Sequence, residues 1–153
     1  MLDRLQTVFA SLQSHEVRYL VIGGIAAVLH GVPRATFDLD ILIEATPDNA
    51  QWLLNALLEA GLGTASLTTT ERLLANEITI FNDWVRIDVQ TSTPGLAFLE
   101  AWERRETMCF RGQSFFVVSR ADLIASKRAA GRPEDLSDVR CLEAEGEDGP
   151  ERA

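Results

Sequence analysis

Two aspartates interrupt an otherwise apolar run, Phe37-Asp38-Leu39-Asp40-Ile41-Leu42-Ile43, at alternate positions. Strand side chains alternate between faces, so both carboxylates share one face, about 6.5–7 Å apart along the chain. Unscreened, they repel by roughly 2 kcal/mol at an effective dielectric of about 20. A fold tolerates this where water or a cation screens the charge, and hard divalent cations prefer oxygen ligands. The run is therefore expected to be a strand, with Asp38, Asp40 and Leu42 on one face and Phe37, Leu39, Ile41 and Ile43 on the other. The acidic face is a candidate metal site.

What precedes the run narrows the architecture. Leu2, Leu5, Val8, Phe9 and Leu12 recur at helical spacing, which predicts a helix over 2–14. Tyr19 to Ile22 is a short apolar strand ended by Gly23-Gly24, and Ile25 to His30 reads as a helix closed near Gly31. Thr46-Pro47-Asp48 supplies the cap and first turn of a third helix, with Trp52, Leu53, Ala56, Leu57 and Ala60 as its buried stripe and Gly61 as its end. Residues 63–70 carry no clear period. Glu77–Phe81 and Val85–Gln90 read as a hairpin turning at Asn82-Asp83, with Arg86, Asp88 and Gln90 on the polar face of its second arm. A helix over Leu96–Arg104 follows, then a hairpin around Arg111-Gly112. Ser119 and Asp122 form a capping box for a helix through Ala130, and Pro133 opens a last helix towards Cys141. This order predicts an α/β (α+β) fold: a mixed, partly antiparallel sheet covered by helices.

A chain of 153 residues suits a single domain, expected over 1–142, with an acidic tail over 143–153. Glu143 to Arg152 holds five acids and one base among Gly and Pro, the composition of a solvated, disordered segment. The net charge of −9 and the lack of a long basic run argue against extended tracking of duplex nucleic acid. No apolar stretch is long enough to span a membrane, and Met1-Leu2-Asp3-Arg4 lacks the order of a signal peptide, so a cytoplasmic protein is expected. Cys109 and Cys141 fit no metal spacing and are expected as reduced thiols; His15 and His30 are isolated, and structural roles are expected for both.

Gly23-Gly24 at a strand-to-helix junction lets a phosphate approach backbone N–H groups at a helix N-terminus. Neither GxxxxGK[ST] nor the GxGxxG spacing is present. Asp88 supplies a third carboxylate on the polar face of a later strand. If the two strands are neighbours, three carboxylates converge where two metal ions can act, one on the attacking oxygen and one on the leaving group.

Val21-Ile22-Gly23-Gly24-Ile25-Ala26-Ala27, His30-Gly31 and Arg34-Ala35-Thr36-Phe37-Asp38-Leu39-Asp40 together resemble the polymerase-beta-type nucleotidyltransferase superfamily. The Arg-x-Thr-x-Asp-x-Asp form is closest to small bacterial nucleotidyltransferases of the abortive-infection toxin type. The ending, with Lys127, Gly131-Arg132, Asp135-Leu136 and Asp138-Val139, is similar to theirs as well. The resemblance runs from Tyr19 to Leu142.

It implies that Gly23 and Gly24 cradle phosphate, that Asp38, Asp40 and Asp88 are catalytic metal ligands for one or two Mg²⁺ ions, and that Asp88 helps deprotonate an acceptor hydroxyl. Lys127 would contact the triphosphate of an NTP co-substrate. Arg34 would touch phosphate or pair with a carboxylate, and Arg132 with Asp135 and Asp138 would form a salt-bridged helix junction. The implied activity is transfer of a nucleoside monophosphate from an NTP to a hydroxyl on RNA, protein or a small molecule, with no membrane involved. The larger relatives' substrate-binding domain is absent from the sequence, so a partner protein or a homodimer is expected to complete the acceptor site. The alternatives are a catalytically silent nucleotide-binding or toxin–antitoxin partner module, and an antibiotic-modifying nucleotidyltransferase. Trp84 and Trp102 are expected in the core or at an interface.

Overall fold

The computed structural model describes residues 1–152, with side chains described through residue 144. Among the described residues, seven α-helices and six strands occur in the order α1 (Leu2–Ser14), β1 (Tyr19–Ile22), α2 (Gly23–Leu29), β2 (Leu39–Ile43), α3 (Pro47–Glu59), α4 (Thr70–Ala75), β3 (Ile78–Asn82), β4 (Arg86–Gln90), α5 (Phe98–Glu103), β5 (Glu106–Phe110), β6 (Gln113–Val117), α6 (Arg120–Ala130) and α7 (Pro133–Arg152). A 3-10 turn over Gly63–Leu67 precedes α4. The strands form one sheet in the order β3-β4-β2-β1-β6-β5. β1 runs antiparallel to β2 and parallel to β6, while β2 and β4 are parallel; both hairpins are antiparallel. The expected mixed sheet with its helical cover is what the chain forms.

Local chemistry explains the boundaries. The Thr46 hydroxyl accepts from the Asn49 N–H at 3.3 Å and Pro47 occupies the first turn of α3. The Ser119 hydroxyl accepts from the Asp122 N–H at 3.1 Å, opening α6, and left-handed Gly131 closes it. Every residue of β1 is buried, as is all of β2 except Asp40, which is only partly so. These central strands join α1 and α3 in a core that includes Phe9, Leu12, Tyr19, Leu20, Ile41, Ile43, Leu53 and Leu57. Each such aliphatic side chain contributes about 1.5–3 kcal/mol by leaving water.

Several expectations are corrected. β2 begins at Leu39 rather than Phe37, because the chain reaches it through an irregular segment, and Phe37 is 79% exposed instead of apolar-face core. α2 starts at the Gly pair itself. Trp52 is exposed; the buried stripe of α3 runs through Asn49, Ala50, Leu53, Leu54, Ala56 and Leu57, one helical step round from the tryptophan. Trp84 is also exposed, with its indole N–H donating to the Ala60 carbonyl at 3.2 Å, whereas Trp102 is half-buried against Phe98 and Phe116. α4 has no counterpart in the expected order. The acidic segment over 143–153 continues the backbone of α7 to Arg152, and the side chains from 145 onward lie outside the described residues. No helix among the described residues is long and apolar enough to cross a membrane.

Candidate functional site

β2 and β4 are direct neighbours, and their parallel register sets Asp40 opposite Asp88. Paired positions of adjacent strands point to the same side of a sheet. The two carboxylates therefore emerge side by side, and Asp38, just before β2, lines the same cleft. That cleft holds about 610 Å³ and is also lined by Gly23, Gly24, Arg34, Lys127 and Arg132. All seven residues singled out from the sequence for metal or phosphate binding thus meet in one place.

The glycine turn is shaped by what it abuts. Gly23 has φ +69, a left-handed backbone, and a Cβ there would collide with the Asp40 carboxylate. A Cβ on Gly24 would lie 2.8 Å from the Thr36 hydroxyl oxygen and 3.0 Å from a terminal nitrogen of Arg34. The pair is what lets the start of α2 sit directly beside the acids. Gly23→Ala is accordingly expected to cost about 1–3 kcal/mol through backbone strain, and more through the displaced carboxylate. Urea unfolding would measure it, and a loss under 0.5 kcal/mol (about the scatter for neutral surface changes) would contradict the close approach.

Charge in the cleft is out of balance. Asp40 is pushed up to about 7, first by burial, then by the charges of Asp88 and Asp38; Arg86 and Lys127 offset only part of this. A cation is what such a cluster calls for, and its all-oxygen donor set suits Mg²⁺. Among the described residues no three such side chains are already closed around a common point. On the Asp88 side stands Arg86: its Nε and a terminal nitrogen donate to the two Asp88 oxygens at 2.9 and 3.3 Å, and its Nε lies 3.8 Å from Asp38. Arg86 shares the polar face of β4 with Asp88, as alternation along the strand predicts, and the family resemblance gives it no role. Its two-residue offset from Asp88 was the available signal, since i and i+2 on a strand are neighbours on one side.

The cations expected to meet a triphosphate are engaged by α7. Lys127 is 6% exposed in its side chain, with Nζ 2.9 Å from Asp138 and 3.6 Å from Asp135. Arg34 pairs with Glu134 and, at 3.2 Å, with Asp138, while its buried Nε–H has no acceptor. Arg132 donates to Asp135 at 2.7 Å; burial raises that carboxyl, but the Arg132 hydrogen bond and the charges of Arg132 and Lys127 bring it below its ordinary range. The expected junction is thus present in altered form: Asp138 serves Lys127 and Arg34, and Arg132 serves Asp135. His30 is buried, its Nε2 2.8 Å from the Val118 carbonyl oxygen, and His15 pairs with Glu59. Neither histidine lines the cleft. Cys109 and Cys141 are free thiols.

Comparison with known proteins agrees with this architecture. No curated protein sequence matches the chain. The fold is similar to that in the crystal structure of an antigenic nucleotidyltransferase-like protein from Paracoccidioides brasiliensis, with a TM-score of 0.56 and 18% identity over 92% of this chain and 75% of that one. At that identity the likeness speaks for the fold alone. A family match extends over residues 2–144, from the first helix to beyond the ion pairs of α7, and by it the chain belongs to the family described as "Nucleotidyltransferase of unknown function (DUF6036)".

Proposed function

We propose that the protein transfers a nucleoside monophosphate from an NTP to an acceptor hydroxyl and releases pyrophosphate. The observation that supports this best is the register of Asp40 against Asp88, beside Asp38 and the Gly23-Gly24 turn. Asp38, Asp40 and Asp88 would hold Mg²⁺, which supplies positive charge at the reacting phosphate and lowers the pKa of the attacking hydroxyl. In the transfer a bond forms between the acceptor oxygen and the α-phosphorus, and the bond from that phosphorus to the β-phosphate bridging oxygen breaks. Asp88 would receive the hydroxyl proton. Backbone N–H groups at the start of α2, with Lys127 and the unpartnered Nε–H of Arg34, would meet the negative charge of the phosphates. Catalysis of this kind is positioning and electrostatics.

The test is incubation of purified protein with each α-labelled NTP, Mg²⁺ and cell extract. Label is expected to move onto RNA, protein or a small molecule, which also identifies the acceptor class. Absence of transfer with all four nucleotides, in the presence of extract, would reject the enzymatic reading. One observation favours a second reading, a silent nucleotide-binding module: α7 carboxylates already neutralise Lys127 and Arg34. That module would bind NTP in equilibrium dialysis without consuming it.

A further inference from the structure

Arg86 and Asp88 lie on the same face of one strand, so their contact needs no long-range folding. The fork uses both oxygens of Asp88, and its Nε side approaches Asp38. Fork-to-carboxylate pairing is among the stronger hydrogen-bonded ion pairs, and it takes one lone-pair position on each Asp88 oxygen and sets a positive charge beside both. The guanidinium is partly exposed and carried on a long stem, so it can turn away without disturbing the sheet. Lys127, by contrast, is buried between two carboxylates and is not free to do so.

We propose that Arg86 is a tethered counter-cation that competes with the divalent ion for Asp88 and Asp38, and so sets the metal concentration at which the site becomes complete. This rests on the metal reading above. The fork and a cation held by Asp38 and Asp88 would both draw on the Asp88 oxygens and carry like charge beside them, so each weakens the hold of the other. Arg86 is thus a positioning residue rather than a catalytic one.

The probe is Mn²⁺ alone, titrated by electron paramagnetic resonance into the full chain without nucleotide. Wild type, Arg86→Lys, Arg86→Ala and Asp40→Asn are compared, each first checked by thermal unfolding. Lysine keeps the charge but loses the fork, and is expected to bind Mn²⁺ several-fold tighter than wild type. Alanine is expected to gain about tenfold, the factor that a competitor occupying about 90% of the site imposes on apparent affinity. In wild type, Mg²⁺ should also shift the ¹⁵N–¹H resonance of Arg86 Nε away from its hydrogen-bonded position. Lysine binding like wild type while alanine binds tighter would reduce the effect to distant charge and overturn the competition. Weaker binding by both variants would overturn it too, making Arg86 a support for the site. The metal reading fails separately if Asp40→Asn binds Mn²⁺ as wild type does. Absence of binding to every protein, Arg86→Ala included, would remove both proposals.

Discussion

Asp40→Asn is expected to lower nucleotide transfer by at least about 10³-fold while making the folded protein more stable at neutral and alkaline pH. The two effects share one origin. Asp40 is pushed up to about 7 by burial and by its acidic neighbours, so the folded chain keeps a proton that the unfolded chain gives up near the ordinary value of 3.8. Stability therefore falls as pH rises through the window from about 4 to about 7, then levels off, because there the native state binds more protons than the unfolded one. Asparagine carries no charge and escapes this penalty. Thermal unfolding with a chelator present should show the variant and wild type alike near pH 4, and the variant higher by several degrees at pH 8. Undiminished transfer by the pure variant would take Asp40 out of the chemistry. A lower midpoint at pH 8 would mean that its charge is already compensated.

Lys127→Met is expected to destabilise the protein by about 3 kcal/mol, lowering the thermal midpoint by roughly 10 °C. The lysine sits between Asp138 and Asp135, whose side chains are each 5% exposed. Removing it leaves buried carboxylates with only Arg34 and Arg132 to answer them. Adding Asp138→Leu to Lys127→Met should recover part of the loss, since removing both partners avoids an orphaned charge. A single variant that loses less than 1 kcal/mol would show that water already screens the pair. Urea unfolding of both proteins decides between these outcomes.

Much of the architecture was legible because its punctuation is chemical. Gly23-Gly24, Pro47, the Ser119–Asp122 cap, Gly131 and Pro133 each mark a boundary through backbone geometry that few residues share. Asp40 and Asp88 were legible for a different reason, since alternation along a strand fixes which side chains share a face; Asp38 lies just before β2 and reaches the cleft from an irregular segment. Strand order was not readable in the same way. Nothing local requires β4 to lie beside β2, so the meeting of Asp40 with Asp88 is a tertiary fact. Trp52 and Phe37 show where pattern fails: hydrophobic character does not guarantee burial. α4 went unread because it follows a stretch, residues 63–70, with no apolar period to lead into it. The partners of Lys127 and Arg34 depend on how α7 crosses the cleft, which spacing along one helix does not reveal.

The side-by-side run of β2 and β4 makes backbone pairing the ruler of the acidic cluster. Losing Trp84, ahead of β4, would bring Val89 opposite Asp40 if β3 held its place and the hairpin kept its ladder. Asp88 would then face the sheet's other side. A shortening of that turn by a single amino acid would break up the acidic cluster while every aspartate stayed in the chain.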